Sequence, residues 1–213
     1  MEKTNNPHLK SLISGYSLEV IPKTVSKIDS FREILPENTR VYIAHLKDGD
    51  IELMVAAAKK LSDEGFTAMP HIPARVIKNQ AMLKEWISMY QNEAGVDEAL
   101  LLAGGSSEPM GDYDSSIQLI ESGLFDKAGF KRLHIAGHPE GNKDIDPDGG
   151  TKNVSAALSL KQELLKRTDA KTAIATQFCF DADAVKKWAE DIKGAGIDIP
   201  IHIGIAGPAK LQT

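Results

Sequence analysis

The chain has 213 residues, of which 42% are hydrophobic and 26% charged, and its formal net charge is −5. This composition is typical of a globular protein and excludes a largely disordered one. The negative charge argues against a general nucleic-acid binder, since such proteins use dense basic faces to displace phosphate counterions. We therefore expect a small-molecule partner and no nucleic acid.

The first seven residues are polar, and no apolar run of membrane-spanning length follows them. The sequence thus predicts no signal peptide, no membrane partner and a cytoplasmic location. Cys179 is the single cysteine, which excludes an internal disulfide and a cysteine-based zinc cluster. Because Cys179 stands in an apolar run, we expect a buried, inert thiol rather than a catalytic nucleophile.

Short apolar segments alternate with longer helical patterns along the chain, which indicates βα units around a parallel sheet. Most of these segments carry apolar residues on both faces rather than alternating with polar ones, as strands covered on both sides should. Seven strands are predicted, at 17–21, 40–45, 67–71, 98–103, 132–136, 172–178 and 199–205.

The segments between the strands have the helical period. In 50–64, apolar residues recur at spacings of three and four, and Gly65 follows in the position of a helix stop. Helices are predicted at 50–64, 79–92, 115–120, 153–166 and 183–193.

This alternation predicts a single α/β domain over residues 1–213, a parallel (β/α)8 TIM barrel preceded by an N-terminal extension at 1–14. Seven strands are visible, so the eighth βα unit is apparently absent, and we expect the sequence to be a truncated portion of a longer chain. In such barrels the loops after the strands carry the binding groups. Loops rich in Gly, Asp and Pro follow two strands, at 104–114 and 138–150.

Polar residues stand at the ends of the first and third strands. Glu19 interrupts an apolar strand, either as a general acid or as a carboxylate paired with Lys23 or a neighbouring arginine. His71 either contacts a ligand or is satisfied by backbone groups. Arg75 either pairs with a ligand carboxylate or phosphate or forms a surface salt bridge.

The loops after the fourth and fifth strands begin with small and polar residues. Gly104 and Gly105 suit a phosphate cradle or the close approach of a flat ligand, although their spacing matches no known glycine motif. His138 and Glu140 match no metal-binding motif, so no metal site is predicted.

The sixth strand ends in a glutamine between apolar residues. Gln177 carries two donors and an acceptor, which are costly to bury unpaired and can bind the edge of a heterocycle. Phe178 and Phe180 form either an apolar wall for a planar ring or part of the core.

Taken in order, four motifs resemble the methylenetetrahydrofolate reductase family. They are Ser-Leu-Glu-Val-Ile-Pro on the first strand, Pro-His-Ile on the third, His-Pro-Glu after the fifth and Ala-Thr-Gln-Phe-Cys-Phe-Asp on the sixth. The resemblance runs from about residue 15 to the end, and the sixth-strand motif is its most specific part. It implies an eight-stranded barrel that reduces 5,10-methylene-tetrahydrofolate to 5-methyl-tetrahydrofolate with NADH or NADPH through FAD.

The resemblance also implies roles for individual residues. Glu19 matches the acid that protonates the folate N5, and Gln177 matches the residue that contacts folate and nicotinamide in one shared pocket, beside Phe178 and Phe180. The remaining positions correspond to flavin contacts in the family. Matching residues stand at His71, Ala136, Gly137 and His138, whereas Ala103, Gly104 and Gly105 replace an Arg-Gly-Asp beside the flavin. Lys161 is the one cation near the position of the flavin phosphates.

The substitutions at the flavin positions keep two alternatives open. One is a flavin-independent enzyme of folate-linked one-carbon transfer, and the other is a non-catalytic folate-binding subunit. In each case the expected partner is a tetrahydrofolate derivative, and a homo-oligomer is compatible with the sequence.

Overall fold

The computed structural model describes Pro7, Ser11 and residues 14–46 and 49–207. The strands are β1 (Ser17–Val20), β2 (Arg40–Ile43), β3 (Thr67–Pro73), β4 (Glu98–Leu102), β5 (Arg132–Gly137), β6 (Lys171–Phe178) and β7 (Ile201–Gly204). The helices are α1 (Pro22–Val25), α2 (Ile51–Asp63), α3 (Gln80–Ala94), α4 (Ser116–Glu121), α5 (Leu124–Lys127), α6 (Lys152–Leu165) and α7 (Ala182–Gly194). The seven predicted strands and five predicted helices are confirmed, with shifts of up to two residues at their ends.

The longer helices begin and end where side-chain chemistry favours it. Asp50 caps α2 by accepting a hydrogen bond from the Glu52 amide, and Asn79 caps α3 by accepting one from the Met82 amide. Gly95 ends α3 in the left-handed region at φ +63°, which a side chain would disfavour. The short helices α1 and α5 span four residues each, too few to show a period in the sequence.

The strands form one parallel sheet, and their order in the sheet follows their order in the chain. Ser17 is in register with Arg40, which in turn is in register with Thr67. Right-handed connections between successive neighbours place all the helices on the same face of such a sheet. The core agrees, because helix residues join only the larger apolar cluster, whereas the smaller one, around Tyr42, Met69 and Leu100, contains strand residues alone.

The predicted (β/α)8 barrel is wrong, because the sheet is an open half-barrel. Closure requires hydrogen bonds between the first and last strands, but β1 pairs only with β2 and β7 only with β6 across the described residues. The short strand β7 also pairs irregularly with β6, and Ile203 within it and Ile205 directly after it are exposed. The βα alternation in the sequence could not distinguish an open sheet from a closed barrel, because both have it.

A further property of the helices is their length and apolar character. Within the part of the chain that the structure describes, no helix is long and apolar enough to cross a membrane.

Candidate functional site

The face of the sheet without helices, called here the helix-free face, carries most of the polar strand residues. Alternate residues of a strand point to the same face, so Glu19, Tyr42, His71, His134 and His202 all belong to it. Two pairs among them approach through polar atoms, and the rings of His134 and His202 pack edge to face with centroids 5.0 Å apart.

Glu19 and His71 form the first pair. Glu19 Oε2 lies 3.4 Å from His71 Nε2, and the Glu19 side chain is 41% exposed. His71 Nε2 itself is buried and has no hydrogen-bond partner of good geometry in the described residues. The predicted alternative, a pairing of Glu19 with Lys23 or an arginine, is absent from the same residues. The carboxyl of Glu19 therefore faces solvent with an imidazole as its neighbour.

Tyr42 and His134 form the second pair, with 2.7 Å between the tyrosine hydroxyl and His134 Nδ1. Burial raises the pKa of Tyr42 to about 12. Burial, followed by the charges of His202, Arg40 and Arg132, lowers the pKa of His134 to about 3. Both groups are therefore neutral at pH 7 and joined by a buried hydrogen bond.

The expected flavin positions lie on or directly after three neighbouring strands in the middle of the sheet. His71 is on β3, Ala103–Gly105 follow β4, and Ala136–His138 end β5, and these three strands are neighbours. Gly104 adopts φ +98°, and a Cβ there would lie 2.9 Å from Pro73 Cβ, so the turn requires glycine. A Cβ on Gly105 would meet nothing within 4 Å, which leaves room for a ligand to approach the backbone.

Lys161 lies in the buried stripe of α6, in line with Val154, Leu158 and Leu165. Burial alone lowers its pKa to about 8, with no contribution from a neighbouring carboxylate. His138 is close enough that the Lys161 charge, after burial, helps to lower its pKa to about 4. A buried ammonium without an acidic partner is costly unless an anion joins it.

The surroundings of Lys161 allow that anion to be a phosphate of FAD. Glu163, which would repel a phosphate, is exposed and pairs with Lys166 at 2.6 Å on the outer surface of α6. The open space at Gly105 and the Lys161 ammonium without an acidic partner are each compatible with a phosphate-bearing cofactor, whereas Ala103–Gly105 offer no acidic side chain to it.

The pairing of β6 with β7 is irregular between Ala175 and Phe178, near the end of β6. Thr176 Oγ1 accepts a hydrogen bond from the Gly204 amide and donates one to the Gln177 carbonyl, both at 2.8 Å. The Gln177 side chain is exposed, as are 53% of Phe178 and 80% of Phe180. The two aromatic rings are therefore available to a ligand and do not belong to the core.

Cys179 departs from its prediction, since it is half-buried rather than buried. Its Sγ lies 3.1 Å from the Gln177 carbonyl oxygen. Its amide donates a hydrogen bond to the Gly204 carbonyl of β7 at 3.0 Å.

Glu140 joins the loops after β5 and β6, a role that sequence reasoning missed. Its Oε1 accepts hydrogen bonds from the Phe180 and Asp181 amides, each at 2.7 Å.

Of the described residues, no group of three His, Cys, Asp or Glu side chains is arranged to hold a metal ion.

Arg75 forms the salt bridge that was its alternative interpretation. Its Nε lies 2.9 Å from Asp114 Oδ1, and its Nη1 donates to the Ser106 carbonyl at 3.0 Å. Arg75 therefore anchors the loop at 104–114 and leaves ligand binding to other groups.

The open sheet separates two residues that the resemblance places in one pocket. Glu19 is on β1 and Gln177 on β6, with four strands between them. Sequence reasoning also missed Tyr42, His134 and His202, whose signal was a polar residue at alternate positions of an apolar strand.

Comparison with solved structures finds weak similarities, of which one is described here. The chain matches no protein-family model. It is similar to the crystal structure of a metagenomic short-chain oxidoreductase in complex with NADP, with 14% identity, 92% of this chain and 99% of that chain covered, and a TM-score of 0.35. At this identity and TM-score, the similarity supports no inference about fold, cofactor or activity.

Proposed function

We propose that the chain is a reductase of the methylenetetrahydrofolate type, which uses NADH or NADPH to convert 5,10-methylene-tetrahydrofolate into 5-methyl-tetrahydrofolate. The observation that carries the proposal is the Glu19 carboxyl, 3.4 Å from His71 Nε2 on the helix-free face and engaged by no lysine or arginine of the described residues. Its sequence position is the one that the family resemblance assigns to the acid.

Glu19 supplies a proton to the folate. The nitrogen that must be protonated is N10 rather than N5, because the product carries its methyl group on N5. Protonated N10 leaves as an amine, the N10–methylene bond breaks, and the N5 lone pair forms an iminium whose carbon accepts the hydride. The exposed carboxyl can reach a ligand, and His71 lies next to it on the side away from solvent. His71 is thus the nearest titratable neighbour of the acid, 3.4 Å away.

Gln177 and the two phenylalanines bind the nicotinamide ring, since four strands separate them from Glu19 and therefore from the pterin. The Gln177 amide offers both donors and an acceptor to the nicotinamide carboxamide. Phe178 and Phe180 expose apolar surface beside it, against which such a ring can stack. Glu140 holds the loop that carries Phe180 by binding two backbone amides.

FAD, when bound, supplies the relay of a hydride from the nicotinamide to the folate. It would lie along β3, β4 and β5, on or directly after which His71, Gly105 and His138 are found. Lys161 would offer a positive charge to its phosphates. A flavin-independent one-carbon transfer enzyme is the second candidate, favoured by the lack of an acidic side chain at Ala103–Gly105.

The test is NAD(P)H oxidation by the full chain with added FAD, in the presence and absence of 5,10-methylene-tetrahydrofolate. We expect oxidation that depends on the folate and falls roughly 100-fold or more in kcat for Glu19→Gln, as removal of a general acid usually causes. Glu93→Gln, which changes an exposed glutamate on α3, is the matched control and should retain wild-type kcat.

The alternatives give different results in the same experiment. Folate binding without NAD(P)H oxidation would contradict the reductase and favour the folate-binding subunit. Folate turnover without flavin would favour the second candidate.

A further inference from the structure

Two arginines share one carboxylate on the helix-free face. Arg40 Nε and Nη2 bind Glu98 at 2.5 and 3.3 Å, and Arg132 Nε binds the same carboxylate at 3.2 Å. The three residues lie on β2, β4 and β5, towards the N-terminal ends of the strands. They form a cluster distinct from Glu19 and Gln177.

This cluster carries more positive than negative charge. The side chains of Arg40, Glu98 and Arg132 are only 20%, 12% and 23% exposed. Partly buried charges are costly unless they are balanced, and no second acidic residue pairs with either arginine in the described residues. Lys171, in register with Arg132 on β6, adds a third cation to the same row.

Neighbouring groups respond to this excess charge. Burial is the main cause that lowers the pKa of His202, and Arg40 and Arg132 lower it further. His134 is fully buried, and its Nε2 has no hydrogen-bond partner in the described part of the chain. A positive cluster thus adjoins an unpartnered buried polar group on one face.

We propose that Arg40 and Arg132 bind a small oxyanion, a phosphate or carboxylate group, on the helix-free face. Only Nε of Arg132 is used by Glu98, and its two Nη nitrogens bind no acceptor in the described residues. A guanidinium binds planar oxyanions through such paired donors. The anion would supply the negative charge that Glu98 alone does not.

The proposal does not depend on the reductase activity, and its test measures anion binding directly. Full-length protein is titrated with inorganic phosphate, with succinate, and with chloride at equal ionic strength, and the Nε–Hε signals of Arg40 and Arg132 are followed by NMR. We expect saturable shifts with phosphate, succinate or both, and none with chloride. The stronger of the two identifies the source of the oxyanion.

Two variants with opposite expected effects test the assignment. Arg132→Gln should weaken binding of the stronger anion by about tenfold or more, as loss of a charge-assisted contact does. Arg167→Gln, which removes an exposed arginine from another surface, is the control and should leave it unchanged. Glu98→Gln should tighten binding, because it removes the competing carboxylate.

The outcomes are decisive in either direction. Absence of saturable shifts in the wild type, or equal weakening by Arg132→Gln and Arg167→Gln, overturns the proposal. If circular dichroism shows that Arg132→Gln does not fold, Glu98→Gln decides, since unchanged or weaker binding by that variant also overturns it.

Discussion

The hydroxyl of Tyr42 and Nδ1 of His134 are 2.7 Å apart, and this hydrogen bond joins β2 to β5 across the helix-free face. Both residues are buried, so water does not compete for the bond. It connects the smaller apolar cluster, which contains Tyr42, to the polar groups around His134 and His202.

Removing the tyrosine hydroxyl should destabilise the fold. Tyr42→Phe leaves His134 Nδ1 buried without a partner, and we expect the free energy of unfolding to fall by about 1–3 kcal/mol. Urea unfolding at pH 7 measures this loss.

Tyr90→Phe is the matched control, because the Tyr90 hydroxyl is buried and has no hydrogen-bond partner among the described residues. That variant should be neutral or stabilising. Equal losses for the two variants would contradict the importance of the Tyr42–His134 bond.

Stability should fall in mild acid because of His134. Its pKa in the folded protein, about 3, lies below the ordinary 6.5, so at intermediate pH the unfolded chain binds a proton that the folded chain does not. The contribution of neutral His134 to the free energy of unfolding is complete above pH 6.5 and is lost as the pH falls towards 3. Well below pH 6.5 the free energy of unfolding falls by about 1.4 kcal/mol per pH unit from this group.

His138 is shifted in the same direction, so the diagnostic quantity is a difference in slope. Unfolding free energies of the wild type and His134→Gln, measured between pH 7 and pH 5, should show a shallower dependence in the variant. Parallel curves would show that His134 titrates normally in the folded protein.

The buried Lys161 should destabilise the ligand-free protein at neutral pH. Its pKa of about 8 lies below the ordinary 10.5, so between these values the unfolded chain binds a proton that the folded chain does not. The lysine therefore does not lower the free energy of unfolding above pH 10.5, and its full destabilising effect is reached once the pH has fallen through 8. Lys161→Met should therefore raise the free energy of unfolding at pH 7, by up to about 3 kcal/mol, and have little effect near pH 10.5.

Lys166→Met provides the control for Lys161, since Lys166 is exposed in an ion pair with Glu163 and such pairs contribute little. Added FAD should raise the melting temperature of the wild type more than that of Lys161→Met. An equal rise in both would remove Lys161 from the flavin site.

A methyl group on Gly137 should disturb the packing between β5 and α7. Its Cβ would lie 2.4 Å from Ile174 Cγ2 and 3.2 Å from the Trp188 ring, so the variant Gly137→Ala must displace both side chains. We expect a loss of about 1–3 kcal/mol in the free energy of unfolding. Gly105→Ala, whose Cβ meets nothing within 4 Å, should cost much less, and equal costs would contradict the close packing at Gly137.

The sequence predicted the strands well because most carry apolar residues on both faces, as the run Ala99–Leu102 in β4 shows. It did not predict the open sheet, since the contact that closes a barrel is between strands at opposite ends of the chain. The pairing of Glu19 with His71 was also out of reach, because it depends on the positions of β1 and β3 on either side of β2. Two alternatives had been correctly identified for Arg75, and the position of Asp114 determined which one formed.

The proposed activity is tested most directly by the mass of the folate product. The full chain is incubated with FAD, 5,10-methylene-tetrahydrofolate and NADH or NADPH, and the folates are separated and identified by mass spectrometry. The proposal predicts 5-methyl-tetrahydrofolate, which is heavier than the substrate by two hydrogen atoms, formed by the wild type and greatly reduced in Glu19→Gln. Recovery of unreduced folate alone, while the nicotinamide is consumed or left intact, would contradict it.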